Sequence, residues 1–389
     1  MKKSFFILTV LFFTSYLFSM GSKNQRNFVK GNLIDKTEAV KAASEVEIVD
    51  LAKAAIEFSL NYKEILGDDS ELSALAISGI TALPVEYIEN SNMTEKNLIS
   101  EKLIGLYSVF EDENVKIAVL NKISSFKFSV ENFIPLLNDF VKNSSVNEEN
   151  LVLLKSVVNT LGSIGNNQSF IIMLGVLSEK KWEPLFENLE KSLCMLAEPL
   201  EKEILDILRR GNVKDCRRLF DLIVKKSENS QIFKAEIAEN VLLRTIYIYE
   251  NSNSTGEDLI SLQLECFNFL KKLKWTRASN TIVSYLKTAR SEYDQKLLEE
   301  DKFCEIITGV SDVAPIGAIQ PLATYLIFLN SKMEEKSSDV SENLVLAIIK
   351  SLGAIGDKNA FDALLGVTYF EYSDSVIAAA RDALAKLKW

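Results

Sequence analysis

The chain has 389 residues, 47% hydrophobic and 25% charged, with a formal net charge of −10. This composition excludes intrinsic disorder, leaves room for a large core or an elongated array, and disfavours general nucleic-acid binding. The chain contains no histidine, which removes Ser-His-Asp and Cys-His nucleophile pairs, histidine general bases and histidine-ligated zinc.

The first element is a basic start at Lys2 and Lys3, followed by an apolar run from Phe5 to Phe18 with Thr/Ser breaks. It has the length of a signal-peptide core and is short for a membrane span. Ser19 and Gly21 supply small residues at the −3/−1 spacing, so the reading is a signal peptide over 1–21, cleaved after Gly21, and an exported protein in the periplasm or cell envelope. In LFSM a Met stands where a lipobox needs Cys, so lipidation is not expected. Cleavage removes two lysines and no acid, which moves the net charge from −10 to −12.

Residues 22–45 are polar, without a clear apolar stripe, and read as a lead-in to a helical region over 46–389. Only 15 glycines and 6 prolines occur in the whole chain, as long regular elements require. Val115, Ala118, Val119 and Ile123 form a helical stripe behind the capping residue Asp112. A proline follows in FIPLL at Pro135 and another in IQPLATYLIFL at Pro321, each expected to bend its helix. The run IYIY (246–249) alternates like a strand, but its apolar flanks favour a helix end. NSNSTGED (251–258) reads as a loop. Val376, Ala379, Ala380, Ala383, Leu384 and Leu387 make a last stripe, with Asp374 placed to cap it.

These elements repeat. LGSIGNNQSFIIMLGV (161–176) matches LGAIGDKNAFDALLGV (352–367) at Leu161, Gly162, Ile164, Gly165, Phe170, Leu174, Gly175 and Val176, all at one offset of 191 residues. ENLVL precedes both copies, at 149–153 and 342–346. Weaker copies anchor at Ile80, Ile123, Leu208, Leu270 and Thr308. The spacings are about 38–47 residues, with one of about 62 that implies an insertion, which is the length of a two-helix solenoid repeat. Within the motif, Gly356 is expected in a left-handed helix end, Asp357 and Asn166 as caps of the following helix, and Gly353 as a point of close helix approach.

The stretch SLGAIGDKNAFDALL with DSVIAAARDALAKL resembles HEAT repeats, most closely the bacterial HEAT-like class, with its clearest copies over 150–197 and 305–389. The resemblance implies an all-α fold, a right-handed α-solenoid of about seven helix pairs, used mostly as a protein-binding scaffold. Its enzymatic members include phycobilin lyases and DNA glycosylases. Export and acidity oppose the second activity, and no residue arrangement supports the first.

Four cysteines remain to be placed. Cys266 and Cys304 each lie four residues before an anchor, in apolar helix positions, and are expected as buried free thiols. Cys194 and Cys216 could pair across a turn, and the sequence leaves that open. No CxxC, Walker loop, dinucleotide fingerprint or GxSxG occurs, so no metal or cofactor is expected.

The feature that stands out in an acidic chain is basic. Lys271, Lys272, Lys274, Arg277, Lys287 and Arg290 lie in one stretch with no acid, and RRGNVKDCRR (209–218) carries five basic residues. The anchor alignment puts Arg209 and Arg210 over Lys271 and Lys272, on one rim, with Trp275 and Tyr285 adding aromatic surface. The expected function is a non-enzymatic exported scaffold binding another protein through a solenoid face or this rim, with peripheral envelope association open. The alternatives are a structural envelope component that self-associates, with Trp389 as a docking group, and a HEAT-like lyase-type enzyme.

Overall fold

Every regular element is a helix in the computed structural model, which describes residues 22–128, 130–252, 256–335 and 340–388. The expected signal peptide over 1–21 and the terminal Trp389 lie outside the described residues, as do 253–255 of the expected loop. Among the described residues no helix is long and apolar enough to cross a membrane. The chain divides into two units, 1–196 and 197–389.

In the first unit, α1 (Lys23–Lys30) and α2 (Leu33–Lys41) form from the polar lead-in. Two capping boxes start them, Ser22 with Gln25 and Asn32 with Asp35. The lead-in is thus a helical hairpin, held by few buried residues: Phe28, Ala39 and Val40 pack with Leu51, Ala55 and Leu75. The buried Lys36 donates through Nζ to the Phe28 carbonyl at the end of α1 and lies over the Phe28 and Phe58 rings. It closes carbonyls that a helix end leaves open.

The unit continues with α3 (Ile48–Leu66), α4 (Ser70–Ala82), the short α5 (Val85–Asn90), α6 (Met93–Val109), α7 (Glu113–Ser124), α8 (Ile134–Asn143), α9 (Leu151–Ile164), α10 (Asn167–Val176) and α11 (Phe186–Ala197). Helices pack against sequence neighbours and against the helix two places on, or three where the short α5 intervenes: α2 on α4, α4 on α7, α7 on α9, and in the other layer α3 on α6 and α8 on α10. Asp112 caps α7 as expected. Pro135 sits in the first turn of α8, where its missing N–H costs no hydrogen bond, so it does not bend the helix interior.

The second unit contains α12 (Glu201–Arg210), α13 (Val213–Leu219) running into a π-helix (Phe220–Lys226), α14 (Gln231–Ser252), α15 (Glu257–Leu273), α16 (Ser279–Asp294), α17 (Glu300–Val313), α18 (Pro315–Glu334), α19 (Glu342–Ile355), α20 (Phe361–Val367) and α21 (Asp374–Ala385). Again there are two layers. One runs α12, α14, α16, α18, α20, and the other α13, α15, α17, α19, α21, each helix touching the next of its layer. IYIY lies inside α14, as its flanks indicated. Ser373, not Asp374, is the cap residue of α21, and Asp374 is the first helical residue.

The repeat motif behaves as a joint. Gly356 is left-handed at φ 71°, Asp357 caps the 3-10 turn Lys358–Ala360, and Asn166 caps α10. A Cβ on Gly353 would lie 2.9 Å from Ala383 Cβ, and one on Gly162 would lie 2.7 Å from Ser192 Cβ. Both partners are again 191 residues apart. The copies differ at the helix end, since Gly165 has an ordinary extended backbone at φ −65°.

Candidate partner-binding site in the second unit

The six basic and two aromatic candidates all fall in the second unit, and the structure separates them. Arg209 and Arg210 end α12, both exposed, with Arg209 paired to Asp206 at 2.8 Å. Lys271, Lys272, Lys274, Trp275 and Arg277 occupy the turn from α15 to α16. The two helix ends do not share a rim. Arg244, in the C-terminal half of α14, donates from Nε to Gly211 O at 2.8 Å. Trp275 Nε1 and Arg277 instead reach Glu239 and Glu236, in the N-terminal half of α14, at 3.0 and 3.2 Å.

The expected single rim is therefore corrected. The basic pairs lie at opposite ends of α12, whose Glu201 bonds the Glu236 that pairs with Arg277, and are offset along α14 by roughly 8–12 Å at 1.5 Å per residue. The cause is a frame error. In the first unit Ile80, Ile123 and Leu161 sit in the layer of α4, α7 and α9, and in the second unit Leu270, Thr308 and Leu352 sit in that of α15, α17 and α19, whereas Leu208 sits in α12, which packs on α14 in that unit's opposite layer.

Tyr285 requires a second correction. It is fully buried, with its ring 5.7 Å from that of Phe267, and adds no surface aromatic. Position 285 faces inward on α16 together with Ile282, Leu286 and Ala289, so the tyrosine is core.

Within the α15–α16 turn the cations divide further. The Lys271 stem crosses Gly309, whose missing Cβ makes room for it, and its amine pairs with Glu305 at 3.0 Å. Arg277 pairs with Glu236 and lies 5.4 Å from the Trp275 ring centre. Glu236 hydrogen-bonds Glu201, which together with burial holds its carboxyl above the usual carboxylate range against the opposing pull of Arg277. Lys274 adopts the left-handed helix end at φ 51° and is exposed, as is Lys272. Neither has an acidic partner among the described residues. The open features of this turn are thus Lys272, Lys274 and one edge of the half-buried Trp275 indole.

A second concavity lies between α16 and α18, with a volume of about 320 Å³. Leu286, Phe303, Leu322 and Tyr325 are its buried apolar floor. Lys287, Arg290, Gln320 and Thr324 stand around it. Arg290 is fixed over the Tyr325 ring at 3.9 Å and near Phe328 at 5.2 Å. Sequence reading found Lys287 and Arg290 as part of the basic stretch but missed the groove, whose other wall is some 30 residues away; the proline in an apolar helix was its one local signal.

Both Cys266 and Cys304 are free; Cys266 is fully buried as expected, whereas Cys304 is only half-buried. Burial raises the pKa of Cys216 and Cys304 to about 11 each and that of Cys266 further, so these thiols are inert toward nucleophilic chemistry at neutral pH. Comparison with protein-family models, with curated proteins and with solved structures finds no match to this chain. What the described residues define is the class alone: an all-α protein of paired, layered helices.

Proposed function

We propose that this chain is an exported, non-enzymatic scaffold whose second unit binds another protein through the α15–α16 turn, at Lys272, Lys274 and Trp275. On this reading each unit is a right-handed HEAT-like stack. The observation that carries the proposal is the division of the turn: Lys271 and Arg277 are neutralised by Glu305 and Glu236, while Lys272 and Lys274 point charge into solvent beside an indole. Two unpaired cations around an aromatic edge are the composition of a binding patch for an acidic protein surface. The layered contacts support the stack, because a helix that touches only its neighbours offers a long face and no single catalytic pocket.

The test is crosslinking in the native envelope followed by capture with Lys272→Glu/Lys274→Glu. Capture of the crosslinked partner is expected to fall by at least about tenfold, whereas Arg209→Glu/Arg210→Glu, at the opposite end of α12, leaves it unchanged. Equal capture by all three proteins at low salt refutes the site. Fractionation with and without residues 1–21 tests export, and a cytoplasmic full-length protein refutes it.

A further inference from the structure

The groove between α16 and α18 is a different place from the α15–α16 turn, and its chemistry is more specific. We propose that it binds a short acidic peptide segment of a partner protein, with one aromatic or large aliphatic side chain in the groove and flanking carboxylates on Lys287 and Arg290.

Its shape is built into the backbone. Gly317 brings α18 against α16, since a Cβ there would lie 2.8 Å from Val283 Cγ2. One turn later Pro321 lines the groove and lacks the N–H that would bond to the Gly317 carbonyl. The helices therefore touch at Gly317 and leave space beyond Pro321. Leu286 and Tyr325, each 5% exposed, are the reachable part of the floor, and Phe303 and Leu322 are packed fully buried behind them.

The cationic side is equally fixed. A guanidinium stacked on an aromatic ring has lost its side-chain freedom in advance and keeps its outer N–H groups for a carboxylate. Asp294 reaches only Arg290 Nε, at 3.8 Å. Lys287 is exposed, with no acidic partner among the described residues. Lys332 adds a third cation over the Phe328 ring, at 5.1 Å. Ile327 and Phe328, exposed by 50% and 43%, continue the apolar surface past the groove.

Volume and polarity select a peptide. About 320 Å³ is the low end of ligand pockets, suited to one large side chain. Gln320 and Thr324, hydrogen-bonded to each other at 3.4 Å, place an amide and a hydroxyl at the edge, where a peptide backbone can pair and an acyl chain cannot.

The experiment is fluorescence anisotropy of the intact protein with a labelled peptide Gly-Asp-Glu-Phe-Asp-Glu-Gly at low salt. Binding with a Kd on the order of 10–100 μM is expected. A peptide with Ser for Phe, or Lys for the acids, is expected to bind at least about tenfold more weakly. Lys287→Glu, at an exposed position, and Thr324→Trp, which fills the groove, should each give a similar loss. Lys272→Glu/Lys274→Glu should give none, so the result is read independently of the α15–α16 turn. The proposal is overturned by absence of binding up to about 1 mM. It is also overturned by equal loss in the Lys272→Glu/Lys274→Glu protein, which would mark a diffuse charge effect, or by displacement with decanoate at the peptide's own concentration, which would assign the groove to acyl carboxylates.

Discussion

Glu292 is an acid held away from water. It is fully buried on α16, and neither carboxylate oxygen has a hydrogen-bond partner among the described residues. Burial pushes its pKa from 4.5 to about 7. Because the folded value is the higher one, the folded chain holds a proton that the unfolded chain has released between those limits. Stability therefore falls as pH rises from about 4.5 to about 7 and levels off above, a loss of about 3 kcal/mol. Urea unfolding at pH 5 and pH 8 should show this slope, and Glu292→Gln should flatten it. Cysteine gives a second expectation at this scale: Cys216 and Cys266 should resist a thiol reagent in the folded protein and react once urea is added. Of these inner positions one was legible. The apolar surroundings of LECFNFL placed Cys266 inside, but nothing local distinguishes Glu292 or Tyr285 from surface residues of the same stretch, because a helix decides by its angular position which side chains face in.

Among the elements, the most polar were the hardest to read. Helices α1 and α2 bury so little that no apolar stripe marks them, although their capping boxes were present in the sequence as Ser22 with Gln25 and Asn32 with Asp35. Their hairpin leans on Lys36, so Lys36→Ala should cost about 1–3 kcal/mol through the unmet Phe28 carbonyl, seen as faster amide exchange over residues 23–41. The strong copies at 161 and 352 were legible because glycine at a helix contact leaves a visible mark, while Leu208 misled. Its helix ends in Gly211 followed by the capping residue Asn212, the same punctuation as Gly165 and Asn166, and punctuation does not reveal the layer. The glycines themselves can be tested. Gly353→Val should destabilise by about 1–3 kcal/mol against Ala383. Gly175, with nothing within 4 Å of an added Cβ, should accept Ala with neutral or improved stability, by up to about 1 kcal/mol. Thermal unfolding measures both.

For the whole molecule, contact between layer neighbours means that stability is a sum of local interfaces. A defect at Gly353 should raise amide exchange in α19–α21 and leave α12 and α13 as they were. The overall helical class was legible from composition and period. The groove was not, because it depends on how far apart two helices stand, a distance no single stretch encodes. The pairs Gly162 with Ser192 and Gly353 with Ala383 carry one more consequence. Each segment, 161–193 and 352–384, brings both halves of its own joint, so either is a portable part. A chimera carrying residues 352–384 in place of 161–193 keeps its glycine opposite a small side chain, and it should fold where a graft cut between glycine and partner sets an unmatched surface against the wrong helix.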